Sequence, residues 1–469
     1  MTGDPANKII QSTMRESLGS RLGFIFLAAG CAIGLGNVWR FPFIAGKYGG
    51  AAFVLVYLVF LILLGLPVMV MEFSVGRASR RNIGLAFKTL EPRGSKWHFY
   101  GPVGIAGNYL LMMFYTTVTG WILYYLFSIV RGKFVYATPE STQAFFTTML
   151  GDPATMTLWM VVTVFFGFLI TSAGLRAGVE RITKILMALL LLLMLALAVH
   201  SMTLPGGADG IRFYLLPDFG RLVGHGAGEV VFAAMGQAFF TLSLGIGAMT
   251  IFGSYIGKER SLTGESVRII GLDTFVAIVS GLIIFPACFA FGVNPGAGPG
   301  LLFVTLPNIF MQMPGGRFWG SIFFLFMSFA ALSTVIAVFE NIISYWMDTR
   351  GTSRKKASWL NCAAIIALSL PCVFGFNLLA GFEPLGAGTN ILDLEDFIVS
   401  ATLLPAGVLV FIFFTTMRYG WGWSAFIAEA NTGKGLQYPS WAKPYTRFVL
   451  PLIIIIVFIK GYWDIFMKG

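Results

Sequence analysis

Charge is what this sequence has least of. Of 469 residues only 11% are Asp, Glu, Lys or Arg, against 57% hydrophobic, and 46 are Phe. No soluble core of this length is so apolar, which excludes a water-soluble enzyme or binding module. Histidine is nearly absent: His98, His200 and His225 are the only three, and none has the spacing of a catalytic base. The four cysteines, Cys31, Cys288, Cys362 and Cys372, lack metal-ligand spacing and lie in or beside apolar runs. They read as small buried residues that say nothing about redox compartment. A phosphate-binding loop is missing, and Gly34-x-Gly36 lacks both the strand and the third glycine of a dinucleotide fingerprint. No enzyme signature is left, so gradient-driven work must draw on an ion rather than ATP. Residues 1–20 are polar and the first apolar run has no small-residue cleavage site, so no cleavable signal is expected.

What is present is a series of apolar runs near 22–46, 51–75, 101–130, 157–174, 179–203, 228–256, 269–292, 317–347, 358–378, 394–417 and 446–466. Their lengths predict about eleven membrane-spanning helices, an all-α polytopic membrane protein. Basic residues cluster in Arg77–Lys96, Arg176–Lys184, Lys258–Arg268, Arg350–Lys356 and Arg418–Arg447, all on one side of the membrane. The positive-inside rule then places the N-terminus in the cytoplasm, and an odd number of spans places the C-terminus outside. The net charge of +11 is therefore topological and calls for no nucleic acid. A cell (inner) membrane location follows.

Two of the helices are badly made. In helix 1, Gly30, Gly34 and Gly36 lead up to Asn37 and Arg40 inside an apolar run. Each glycine costs about 1 kcal/mol against Ala in a helix interior, and a mid-bilayer Arg at least about 2.5 kcal/mol. Gly30-x-x-x-Gly34 alone also fits a helix-packing motif. Together with an amide and an Arg it predicts unwound backbone lining a binding site, because irregular backbone at membrane depth is tolerated only where it lines a cavity or is buried in protein. Gly236–Gly247, GQAFFTLSLGIG, interrupts helix 6 in the same way. Helices 1 and 6 are five spans apart, so the two halves have opposite topology, and paired broken helices point to a transporter site.

In helix 8, Ser333, Thr334, Ala337, Glu340, Asn341, Ser344 and Asp348 follow steps of three and four and share one face. From Thr334 to Asp348 is about 21 Å, enough to run from mid-membrane to the cytoplasmic surface. This stripe is expected to wall a water-accessible pathway, although any single Ser or Thr can instead bond its own helix. Glu72, Asp273, Asp393, Glu395 and Asp396 are further carboxylates in or at apolar segments and need partners. Arg40 with Asp396 at the outer mouth, and Arg15 with Asp348 inside, are the economical pairs. Snorkelling to the interface is the alternative for the outer pair.

These residues, RLGFIFLAAGCAIGLGNVWRFP, KYGGAAF (Lys47–Phe53), MEFSVGR (Met71–Arg77), GQAFFTLSLGIG, FAALST (Phe329–Thr334) and LDLEDF (Leu392–Phe397), resemble those of the neurotransmitter:sodium symporters, in particular the bacterial amino-acid transporters. The resemblance covers nearly the whole chain. It implies one transmembrane domain over 1–469, with inverted repeats of about 21–203 and 228–417 and an extra helix at about 446–466, and alternating access to a midplane site. It puts one sodium among Ala32, Asn37, Thr241 and Asp273. A second sodium falls among Gly30, Ile33, Ala330, Ser333 and Thr334. The substrate carboxylate is expected on the first sodium and the amides near Leu35 and Gly36, with the Tyr115 hydroxyl as a donor. The substrate amine is expected on helix 1 and helix 6 carbonyls and Ser243.

Leu111, Tyr115, Phe240, Ile246 and Val338 are the implied side-chain contacts, and Ala32, Thr241 and Thr334 border the same space. Gly34 stands where amine-specific relatives carry an Asp, which favours an α-amino acid. Ile246 replaces an aromatic residue, which favours a hydrophobic or aromatic one. Arg40–Asp396 and Arg15–Asp348 take the gate positions, with Ser254 and Tyr255 near the inner pair. Leu18 departs from a Trp of the inner latch. Ala188 departs from a Pro ten residues after Gly178, which puts in doubt local unwinding there. Asp273 and Ala277 replace the helix 7 serine region of chloride-dependent relatives, so sodium ions, two of them, are expected without a need for chloride. Partners are then a small amino acid and the bilayer, with no nucleic acid. An ion channel, a non-transporting amino-acid sensor and a proton-coupled carrier of the same fold are the other readings. The hydroxyl pair and Asn37 favour sodium over the last.

Overall fold

The computed structural model describes residues 16–134, 138–224, 226–293 and 300–466. Among these, regular structure is helical apart from one isolated parallel bridge between Arg260 and Lys434. Nine helices among the described residues are long and apolar enough to cross a membrane, with a tenth span formed by Arg21–Ala32 and Gly36–Lys47 across a 56° bend. That bent pair is helix 1. Helices 2 to 5 are Ala51–Ser79, Trp97–Val130, Pro153–Ser172 and Leu175–Met202. Helix 6 is split into Ala227–Thr241 and Ala248–Tyr255, of 15 and 8 residues, each too short to cross alone. Helices 7 to 11 are Leu262–Ala290, Gly316–Arg350, Arg354–Phe374, Ile391–Thr416 and Ser440–Trp463. The multi-pass, all-helical architecture read from hydropathy is thus present. Helix 9 begins and ends earlier than the hydropathy run placed it.

The two breaks arise from local chemistry. After Ala32 the chain turns extended at Ile33 (φ −74°, ψ 91°), and Gly34 then passes so close to its neighbours that a Cβ would lie 2.6 Å from Tyr115 Oη and 2.8 Å from Thr334 Oγ1. Only glycine fits. In helix 6 the chain enters left-handed backbone at Ser243 (φ 51°), Gly245 (φ 107°) and Gly247 (φ 74°), a region costly for residues with a Cβ.

The freed backbone groups are met one by one, as burial requires. The Glu72 carboxylate accepts from Gly245 N at 2.6 Å and Met249 N at 3.2 Å, which is the partner sought for this buried charge. Tyr100 Oη donates to the Gly245 carbonyl at 2.7 Å, and Asn108 Nδ2 to the Ile246 carbonyl at 2.9 Å. Asn341 Nδ2 in turn donates to Asn108 Oδ1 at 2.9 Å. On the helix 1 side, Gln237 Nε2 donates to the Gly36 carbonyl at 3.0 Å.

Helix 8 packs on helices 1, 3 and 5, and helix 3 on helices 4, 8 and 9. Helix 2 meets the inner half of helix 6 backbone to backbone: a Cβ on Gly76 would sit 1.9 Å from the Thr250 carbonyl oxygen, and one on Gly253 2.5 Å from that of Phe73. Such small-residue contacts let van der Waals packing hold helices together in lipid, where the hydrophobic effect between helices is absent. Large apolar side chains exposed on helices 4, 5 and 11, such as Leu158, Leu192 and Ile456, face outward as a lipid-exposed surface requires.

Candidate ligand and ion site

The breaks in helices 1 and 6 meet beneath a cavity at the end of the bundle that sequence reading takes as the outer one. A volume of about 440 Å³ is lined by Leu35, Trp39, Arg40, Phe114, Tyr115, Phe240, Asp393 and Asp396 among others. A second cavity of about 660 Å³ shares Arg40, Phe240, Asp393 and Asp396 and extends to Val457 and Gly461 of helix 11. At the floor, Leu35 N donates to Tyr115 Oη at 3.2 Å, and the Thr334 hydroxyl stands beside the same phenol. A Cβ on Gly36 would press on the Phe240 ring at 3.1 Å, so the backbone there is held against an aromatic wall. Ser243 is half-buried in the helix 6 break. Leu111, Ile246 and Val338 are buried and line neither cavity; a Cβ on Gly107 would meet the Ile246 side chain at 2.7 Å.

Two oxygen clusters flank the floor. Ser333 Oγ lies 3.1 Å from the Gly30 carbonyl and 2.8 Å from that of Ala330. Thr334 Oγ1 lies 3.1 Å from the Gly30 carbonyl and 3.4 Å from that of Ile33. Two hydroxyl hydrogens thus face three carbonyl acceptors, an acceptor-rich set that suits a small hard cation. The second cluster centres on Asp273, which is fully buried. Asn37 Nδ2 approaches its Oδ1 at 2.8 Å and its carbonyl at 3.2 Å, and Thr241 Oγ1 approaches Oδ2 at 3.3 Å. Asn37 Oδ1 accepts from Gly34 N at 3.3 Å, and Ala32 ends the helical segment just before. Among the described residues no Lys, Arg or His forms an ion pair with Asp273. The Asn37 amide and Thr241 hydroxyl meet part of its charge, and a cation in the cluster would meet the rest.

The gates differ from the sequence expectation in informative ways. Arg40 and Asp396 line the same cavities but form no ion pair: the Arg40 guanidinium lies 4.2 Å over the Phe240 ring, while Asp396 Oδ1 accepts from Ser400 at 2.6 Å. The two side chains thus face one cavity, each held by another group, without pairing. Inside, Arg15 lies outside the described residues, and Asp348 accepts from Asn82 N at 3.1 Å and Asn82 Nδ2 at 2.9 Å. The same end of the bundle also carries a buried cluster around Glu340, which sequence reading left without a role. Arg354 donates to it at 2.6 and 3.0 Å, and Tyr255 Oη at 2.6 Å. Ser344 joins through Tyr255 at 2.7 Å, and Glu16 pairs with Arg354 from the N-terminal segment.

Consequently the helix 8 stripe from Ser333 to Ser344 is buried, and does not wall a water-filled path in this conformation. Arg354, in a loop-to-helix start, was missed because only its distance to Glu340, fourteen residues away in sequence, could have flagged it.

An all-helical multi-pass protein with two interrupted helices, oxygen clusters at the breaks and one side open is built as a secondary transporter. A profile of the Sodium:neurotransmitter symporter family matches residues 15–147 and 143–466. A Bacillus subtilis protein described as an uncharacterized sodium-dependent transporter is 36% identical over 445 residues, 94% of this chain and 96% of its own. A Haemophilus influenzae protein with a similar description is 32% identical over 466 residues, 95% of this chain and 98% of its own. The crystal structure of MhsT in complex with L-phenylalanine superposes with a TM-score of 0.84 at 40% identity, covering 96% of this chain and 100% of that one. The chain belongs to the sodium:neurotransmitter symporter family, and is a sodium-dependent transporter rather than an enzyme.

Proposed function

We propose that the protein imports a hydrophobic or aromatic L-amino acid across the cell membrane, coupled to two sodium ions, by alternating access. The observation that carries the reading is Gly34: the space its missing side chain leaves is bounded by Tyr115 Oη and Thr334 Oγ1, with the Leu35 amide beside it. A substrate carboxylate can accept from the Tyr115 hydroxyl, whose oxygen the Leu35 amide already holds, and a side chain at Gly34 would occupy its place. Trp39, Phe114, Phe240 and Trp121 above the floor offer an apolar, aromatic lining to the substrate side chain. Burying an aromatic group there is worth about 25 cal/mol per Å² before the costs of binding. The similar protein MhsT has been crystallised with L-phenylalanine, which supports the same substrate class.

In this reading the cluster of Gly30, Ile33, Ala330, Ser333 and Thr334 holds one sodium and bridges helices 1 and 8. The Ala32, Asn37, Thr241 and Asp273 cluster holds the other and bridges helices 1, 6 and 7. Each ion favours the arrangement in which its bridged helices are together, which is how an ion gradient biases a conformational equilibrium. The Asp273 carboxylate supplies fixed negative charge beside its ion, so chloride is not required. Closure of the outer cavity brings Asp396 to Arg40, and opening inside breaks the Glu340–Arg354–Tyr255 cluster. Repeats of about 21–203 and 228–417 rock against each other, with the N-terminus in the cytoplasm and the C-terminus outside.

Uptake of labelled L-phenylalanine and a mixed amino-acid pool into proteoliposomes tests this. Sodium-driven accumulation that survives replacement of chloride by gluconate is the expected result. Binding without accumulation identifies a sensor and overturns the reading. Uptake indifferent to sodium overturns both ion assignments.

A further inference from the structure

Helix 10 carries three carboxylates in its first turns, and they do not share an environment. Asp393 and Asp396 line the open outer cavity, together with Phe397 and Ser400 one turn on. Glu395 faces away from that cavity. It is 4% exposed, and both carboxyl oxygens are buried without a hydrogen-bond partner among the described residues. Helix 10 packs there against helices 3 and 9. From helix 9 the fully buried Cys372 thiol stands beside Glu395, and the Thr117 hydroxyl of helix 3 stands beside that thiol. Thr117 is committed to the Met113 carbonyl at 3.1 Å. Among the described residues no Lys, Arg or His pairs with Glu395, and Arg40, across the cavity, lies over Phe240.

An ionised carboxylate with no cation and only a thiol, a weak donor, beside it is among the costliest groups a protein interior can hold. The neutral acid avoids that cost, and its O–H can lean on the Cys372 sulfur as a weak acceptor. A residue of this kind within a membrane span is a functional site by default.

We propose that Glu395 is a proton-binding site of the outer half of helix 10, and that a proton held there stabilises the open outer cavity. Asp396 is the next residue. When the cavity closes and Asp396 moves to Arg40, the same turn of helix draws Glu395 out of its pocket between helices 3 and 9. There it meets polar surroundings and can release its proton to the outer solution. The only chemistry is this reversible transfer between the carboxyl and water. External acidity therefore favours the open cavity and slows closure over substrate.

The test uses nitroxide labels on Lys47→Cys of helix 1 and Leu385→Cys of the segment before helix 10, both lining the cavity, in the full-length protein in liposomes. The four native cysteines are buried and do not compete. Pulsed electron paramagnetic resonance then reads open and closed populations against pH. The open-to-closed ratio is expected to rise on acidification, by at most about tenfold per pH unit for one proton. Glu395→Gln, which mimics the protonated acid, should stay open with no slope, and Cys372→Ser should keep the slope.

A flat wild-type response, or a slope that survives in Glu395→Gln, overturns the proposal. Should Glu395→Gln misfold, infrared spectra of the wild type with isotope-labelled glutamate decide. A protonated carboxyl stretch must fade in parallel with closure, and its absence overturns the assignment. The readout is a distance rather than uptake, so it stands or falls separately from the substrate and coupling proposed above.

Discussion

Gly34→Ala is the sharpest perturbation the structure offers. The added Cβ would lie 2.6 Å from Tyr115 Oη and 2.8 Å from Thr334 Oγ1, closer than real carbon–oxygen contacts permit. Tyr115 sits on helix 3 with its hydroxyl held by the Leu35 amide at 3.2 Å, so relief means moving the phenol and losing that bond. Forcing one carbon into a packed site costs about 1–3 kcal/mol, and the lost hydrogen bond about 1 kcal/mol. Since the backbone before Gly34 is already broken, the substitution gains little from helix propensity.

We expect binding of labelled L-phenylalanine in saturating sodium to weaken by about thirtyfold to nearly a thousandfold. Adding Tyr115→Phe removes the atom that the Cβ strikes, so the double variant should lose less than the sum of the two single losses. A Gly34→Ala protein with wild-type affinity, or strict additivity in the double variant, would refute the placement of the substrate carboxylate between these groups.

Further outcomes follow from the surrounding contacts. Thr334→Ala or Ser333→Ala removes one of two hydroxyls facing three carbonyls and should raise the sodium concentration for half-maximal uptake by about tenfold, while Thr334→Ser should spare it. Arg354→Gln leaves the fully buried Glu340 without its cation, a loss of about 3–5 kcal/mol where the pair is intact. Cysteine labelling at Ser344→Cys from the cytoplasmic side should then become fast, and unchanged protection would contradict the closure described. Glu72→Leu strips the acceptors from the Gly245 and Met249 amides and should destabilise the protein by about 1–3 kcal/mol per amide. Thermal unfolding in detergent measures it.

How far the sequence could be read depended on the range of the information. Hydropathy and glycine spacing are local, so the spans and both broken helices were legible: Gly34 and Gly245 are demanded by contacts at their own positions. The Ser333–Thr334 pair was legible because the two hydroxyls are adjacent in sequence, and the structure brings both to the Gly30 carbonyl. The partners of Glu72 were not, because they are backbone amides of another helix, and amides leave no mark in a side-chain pattern. Glu340 found Arg354 because a turn after helix 8 folds the next helix back onto it, which no periodicity encodes. The state of the outer gate was also beyond reach, since Arg40 and Asp396 have the same sequence whether paired or apart. Asp348 also accepts from Asn82, a helix-starting residue whose own side chain caps Gly84 N at 2.8 Å, a contact across helices that the sequence spacing does not mark.

The central claim is that sodium drives accumulation of a hydrophobic amino acid through these two clusters. The most direct measurement is initial uptake of labelled L-phenylalanine into proteoliposomes under an inward sodium gradient and, in parallel, an inward potassium gradient. Accumulation above equilibrium under sodium alone, lost in both Asn37→Ala and Thr334→Ala with the proteins folded, is the predicted result. Equal uptake under the two gradients would contradict it.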